Sequence, residues 1–205
     1  MSLCDNSGSA QSAKTSEIGS MRVSSIANLT AVMTGLISDQ GFIGVFGDNL
    51  KVVEVDKSKT AFEQVQLADE IGKNIGHGTE NGVWLFFNKA INEKQHWDHI
   101  FIYSDMQAGH GGLYGTDPEE YQEYLWNELD EAALRYGYNN SQYIDVAKLV
   151  KTYRKEVNPN VRVYMVQVAG YRDSLVPEFY KKTYILGGWG SGLLNFAHYM
   201  QKIDD

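Results

Sequence analysis

The turn Cys4-Asp5-Asn6-Ser7-Gly8-Ser9-Ala10-Gln11-Ser12 lies at the start of the chain, and the rest of the sequence is understood around it. Asp5, Ser7 and Ser9 are spaced by two, so a turning loop can aim three oxygens at one point. Oxygen donors with few carboxylates suit a hard cation such as magnesium. Gly8 lets the backbone turn tightly. Taken alone, the same residues would serve equally as a cap for a following helix, because Asp-x-Ser-x-Ser arises by chance in many loops.

Strand and helix patterns alternate beyond this turn. Gly41–Gly47 is short, apolar and bounded by turn residues, as a buried strand is. Lys51–Val55 follows the Asp48-Asn49 turn signal and is expected to pair with it as a hairpin. His99–Tyr103 and Val161–Val168 are rich in β-branched and aromatic residues, and Tyr184–Leu186 reads as a short last strand. Helical spacing covers Ile18–Ser38, Thr60–Ile75 and Asn81–Ile91. A fourth helix is expected from Asp117 to Tyr136, opened by Pro118 and stopped by Gly137, a fifth over Gln142–Glu156, and a last over Ser191–Lys202. This alternation predicts a single α/β domain over residues 1–205, a doubly wound, mostly parallel sheet with helices on both faces. Ligands of such folds sit at the carboxyl ends of the strands, where Asp5–Ser9, His77–Glu80 and Ser104–Gly109 are expected.

Two more features join the first turn. Thr79 stands in Gly76-His77-Gly78-Thr79-Glu80, a glycine-bracketed turn opening a helix, and Asp105 directly follows the strand ending Ile102-Tyr103-Ser104. The set of Asp-x-Ser-x-Ser, a Thr in a glycine turn and a strand-ending Asp resembles a von Willebrand factor A domain with a metal-ion-dependent adhesion site. The resemblance spans essentially the whole chain. Val45-Phe46-Gly47-Asp48-Asn49, Gly78-Thr79, Phe101-Ile102-Tyr103-Ser104-Asp105 and the Gly187-Gly188-Trp189 turn narrow it to the A domain of Ro/TROVE ribonucleoproteins and their bacterial relatives.

The resemblance implies roles by position. Ser7, Ser9 and Thr79 coordinate the cation through hydroxyls, Thr79 directly in the ligand-receptive state, while Asp5 and Asp105 act mostly through metal-bound water. The cation is Mg2+, or another hard divalent ion such as Mn2+ or Ca2+. One coordination place stays open for an acidic side chain of a protein partner. Two carboxylates roughly neutralise a divalent ion and hydroxyls donate weakly, so the ion stays electrophilic towards a carboxylate. His77, Glu80, Gly109 and His110 are expected to form the partner-binding rim. Asn6 reads as filler, and Ala10 replaces a methionine frequent in the motif. Only Met1–Cys4 precede Asp5, where the family has a full apolar strand. The resemblance therefore implies that the chain begins inside that strand and that the natural protein extends further, into the helical-repeat ring that binds RNA in Ro/TROVE proteins.

Composition sets the outer limits. The chain has 205 residues, 43% of them hydrophobic and 21% charged, which suits a folded core. The net charge of -8 makes the chain a poor general nucleic-acid binder, so RNA is expected only through the missing N-terminal region. One cysteine, Cys4, excludes an intrachain disulfide and a four-cysteine zinc site. No apolar run approaches the roughly 20 residues that span a bilayer, and no signal peptide stands at the start, so a cytoplasmic setting with no membrane partner is expected. His96, Asp98 and His99 lack helical His-x-x-x-His spacing, which disfavours catalytic zinc. The acidic helix 117–136 and the bases Lys148, Lys151, Arg154 and Lys155 read as solvated faces. The expected function is binding, not catalysis. The alternative is a metal-dependent hydrolase or phosphotransferase, which needs a nucleophile or base beside the metal.

Overall fold

The computed structural model of the protein describes residues 1–12, 21–105, 122–124, 144–169, 181–188 and 191–204. Its strands are β1 (Ser2–Asp5), β2 (Phe42–Phe46), β3 (Leu50–Glu54), β4 (His99–Ser104), β5 (Arg162–Gln167) and β6 (Thr183–Gly187). They form one six-stranded sheet in the order β3-β2-β1-β4-β5-β6. Every pairing is parallel except the β2–β3 hairpin, whose register sets Val45 against Lys51. The helices are α1 (Gly8–Ser12), α2 (Val23–Ile37), α3 (Ala61–Gly72), α4 (Gly82–Asn92), α5 (Val146–Glu156) and α6 (Ser191–Asp204). The expected doubly wound α/β architecture is therefore present.

Strand side chains alternate between the two faces, and each face has its own core. Leu3, Phe46, Ile100, Ile102, Val163 and Met165 meet Val83, Trp84, Phe87 and Ala90 of α4 and Leu149, Val150 and Tyr153 of α5. On the other face Cys4, Val45, Phe101, Tyr103 and Tyr164 meet Ile26, Ala27 and Ala31 of α2, Ala68 of α3 and Ala197 of α6. The rings of Phe101 and Tyr164 stack across the strands at 4.4 Å. Cys4 is fully buried, and burial pushes its thiol far above the usual range, so it packs and does not react.

Several boundaries differ from expectation. α2 starts at Val23, and of the expected helix 117–136 only the 3-10 turn Gln122–Tyr124 is described. α3 opens at a capping box in which Thr60 and Glu63 satisfy each other's backbone N–H groups. The first strand is short but fully paired. β1 uses all four residues Ser2–Asp5 and pairs with β2 at each of them, from Ser2–Ile43 to Asp5–Phe46. Against β4 it pairs from Ser2–Phe101 to Cys4–Tyr103, and the Phe101 amide donates to the Met1 carbonyl at 2.9 Å. β1 is thus paired with β2 along its whole length and lies at the centre of the sheet.

Candidate metal centre

Strand order reverses between β1 and β4, and the crevice beyond their carboxyl ends is where open α/β sheets hold ligands. Asp5 is the last residue of β1, Ser104 is the last of β4, and Asp105 follows directly. Three connections meet above them. The Gly8 amide donates to the His77 carbonyl at 3.0 Å, joining the first turn to the segment before α4. The Asp48 amide donates to the Gly76 carbonyl at 3.1 Å, joining that segment to the β2–β3 turn. Gly76 has φ +87°, and a Cβ there would press into the Asp48 side chain.

Within this corner the structure brings together Asp5, Glu80 and Asp105. One carboxylate oxygen from each lies within 4.8 Å of the others, and all three residues are buried: Asp5 and Asp105 completely, Glu80 to 5% exposure. Glu80, expected on the exposed rim, is thus a third carboxyl inside the site. Asp5 Oδ1 accepts from the Ser7 amide and Asp5 Oδ2 from the Ser104 hydroxyl, each at 2.8 Å. The Ser104 hydroxyl also faces Glu80 at 3.5 Å, and the Asp105 carboxyl lies close to both acids. The hydroxyls of Ser7 and Ser9 stand 3.1 Å apart.

The electrostatics are one-sided. Burial and the nearby Asp105 push the Asp5 carboxyl up to about 7, although hydrogen bonds from Ser7 and Ser104 oppose the rise. Burial, then Asp5 and Asp105, raise Glu80 well above the carboxylate range. Among the described residues no basic side chain is one of the groups acting on either. The cluster therefore holds protons unless a cation takes their place. An all-oxygen set of carboxylates and hydroxyls fits a hard divalent ion.

The remaining predicted residues divide. Thr79 is buried, and both its amide and its hydroxyl donate to Asp48 Oδ1. Its hydroxyl proton is thereby committed, leaving oxygen lone pairs to face an electrophile. His77 is exposed, and its Nε2 lies 3.0 Å from the Gly72 carbonyl at the end of α3. Gly109 and His110 lie outside the described residues, as do Trp189 and most of the acidic helix. Arg154 turns inward, donating to the Val161 and Lys182 carbonyls at 3.1 and 2.7 Å, so it leaves the expected solvated face. His96 sits exposed beside Asp98, and the His99 ring lies nearly parallel to those of Phe101 and Tyr164, beside the pair. Among the described residues Asp5, Glu80 and Asp105 are the one group of metal-ligating type.

Sequence reasoning missed three supports. Asn6, read as filler, is fully buried, and its backbone N–H donates to the Phe46 carbonyl at 2.7 Å. Asp48, read only as a turn residue, orients Thr79. Ser104 links two of the carboxyls. Spacing could not have found Asp48 or Ser104, since each acts on a residue distant in sequence.

The sequence matches no protein-family profile and no curated protein. Among solved structures the fold is similar to that of the Ro (RSR) protein of Deinococcus radiodurans, with a TM-score of 0.60 at 11% identity. The likeness is one of fold. It covers 94% of this chain and 32% of that one, so the chain spans about a third of the neighbour's length. No helix among the described residues is long and apolar enough to cross a membrane.

Proposed function

We propose that the protein is a metal-dependent binding module of von Willebrand factor A type. In this reading Asp5, Ser7, Ser9, Thr79 and Asp105 hold Mg2+ or a similar hard divalent ion at the switch point of the sheet. The observation that carries it is the buried, charge-unbalanced cluster of Asp5, Glu80 and Asp105, laid on a loop of hydroxyl donors. When bound, the ion supplies an electrophilic centre for a carboxylate of a protein partner. Ser7 and Ser104 hold the Asp5 oxygens in place, and Asp48 holds the Thr79 hydroxyl. The Ro-like fold and the resemblance in the motifs support membership of a Ro-like, RNA-associated protein that contacts RNA through a region other than this one.

The enzymatic alternative has less support. Asp5, its candidate nucleophile, has each carboxylate oxygen engaged by a hydrogen bond. Titration calorimetry with magnesium on the wild type and Asp5→Ala tests the reading. Binding by the wild type alone is expected, whereas equal binding by both, or none by either, removes the site.

A further inference from the structure

A second buried polar group lies behind the first turn, on the side away from the carboxyls. On an extended chain neighbouring side chains point to opposite sides. Asp5 reaches Ser104 and Glu80, whereas Asn6 reaches α2 and α3. Asn6 Nδ2 donates to Asn28 Oδ1 at 2.8 Å and to the Cys4 carbonyl at 3.2 Å. Asn6 Oδ1 accepts from Asn28 Nδ2 at 3.1 Å and from Gln11 Nε2 at 3.2 Å. Asn28 Nδ2 also donates to Asp69 Oδ1 at 2.6 Å.

We propose that Asp69 is a positioning residue for the metal loop, acting through Asn28 and Asn6. The inference rests on the metal-site reading above. An ionised carboxylate only accepts, so Asp69 fixes which end of the Asn28 amide faces it. That choice leaves Asn28 Oδ1 to receive Asn6, which fixes the Asn6 amide in turn. Asn6 lies between Asp5 and Ser7, so an amide held on all its polar atoms locks the backbone that aims both donors. α3 holds Asn6 a second time at Gly72, where a Cβ would stand 2.2 Å from Asn6 Oδ1. Asn6 and Asn28 are fully buried, on the face of the sheet whose core includes Ala27 and Ala31 of α2 and Ala68 of α3. Apolar side chains would fill this space without needing hydrogen bonds. A fully connected polar relay instead specifies one arrangement, and ligand oxygens need such fixed support.

The test is a magnesium titration of the full chain by calorimetry, with unfolding in EDTA followed in parallel. Asp69→Ala is expected to weaken magnesium binding about tenfold, the scale of losing an outer support of a metal site. Asp69→Asn keeps an oxygen acceptor for Asn28 and is expected to restore most of the affinity. Unchanged affinity in Asp69→Ala, with or without a lower unfolding temperature, overturns the positioning role and leaves the metal site standing. Equal loss in both variants assigns the effect to charge and also overturns it. Asn28→Ala breaks the relay at its middle and decides the matter in the same way should Asp69→Ala fail to fold. A wild type that binds no magnesium removes the site reading and this inference with it.

Discussion

Asp5 and Asn6 are neighbours, yet each faces a buried polar cluster of opposite character. The Asn6 side is closed: amide meets amide and the chain of donors ends on the single carboxylate of Asp69. The Asp5 side is open in charge: three carboxyls converge with hydroxyl and amide donors, and among the described residues no base acts on Asp5 or Glu80. The first cluster is complete with protein atoms alone. The second needs protons or an ion. One turn of chain thus separates a cluster of amides from a cluster of carboxyls.

The strongest way to break this contrast is to remove the carboxylate at its centre. Asp5→Ala is expected to cost magnesium affinity at least about 100-fold, beyond the loss of an outer support. Calorimetry that finds a smaller effect would place the ion elsewhere. The next effect is on stability. In EDTA the folded Asp5 carboxyl titrates near 7, against an unfolded value of about 3.9. Between those values the folded state holds the extra proton. The stabilisation is therefore complete below about pH 4 and is lost as pH rises through 7. A loss on the order of a few kcal/mol is expected from pH 4 to pH 8. Magnesium at pH 8 should offset it, by about 2.7 kcal/mol at a hundred times its dissociation constant. Denaturant unfolding at both pH values, with and without magnesium, measures this, and a flat EDTA profile contradicts it.

The closed cluster should behave otherwise. Asn28→Ala strands donors and acceptors of Asn6 and Asp69 and is expected to cost about 2 kcal/mol of stability. That cost should be the same at pH 5 and pH 8 in EDTA, because no proton uptake by the carboxyl cluster is involved. A cost that grows with pH would merge the two clusters into one electrostatic unit.

Much of this architecture was legible in the residues. Strands such as His99–Tyr103 and the alternation of elements announced a parallel sheet, because buried central strands need continuous β-branched and aromatic side chains. The meeting of Asp5, Ser7 and Ser9 in one turn was legible because their spacing is local. The depth of Glu80 was not, since adjacency to Thr79 in sequence does not say which side chain turns inward. The role of Asn6 was hidden for the same reason: its partners Asn28 and Asp69 come from two helices. Nor did four residues before the first turn look like a central strand, although register with β2 and β4 makes them one.

The smallest expected effect is also the finest probe of the open cluster. The Ser104 hydroxyl donates to Asp5 Oδ2 at 2.8 Å and faces Glu80 at 3.5 Å. A hydrogen bond to an ionised carboxylate favours ionisation, so this contact holds the Asp5 carboxyl below where burial alone would set it. Ser104→Ala removes that donor, and its stability cost at pH 8 in EDTA should be about 1–2 kcal/mol. At pH 4 the cost should be smaller, because a protonated Asp5 depends less on the donor. The midpoint of the pH-dependent loss should consequently move upward. If it moves down or stays fixed, the Ser104 hydroxyl serves Glu80 rather than Asp5, and the third carboxyl, not the first, governs the proton held at the switch point.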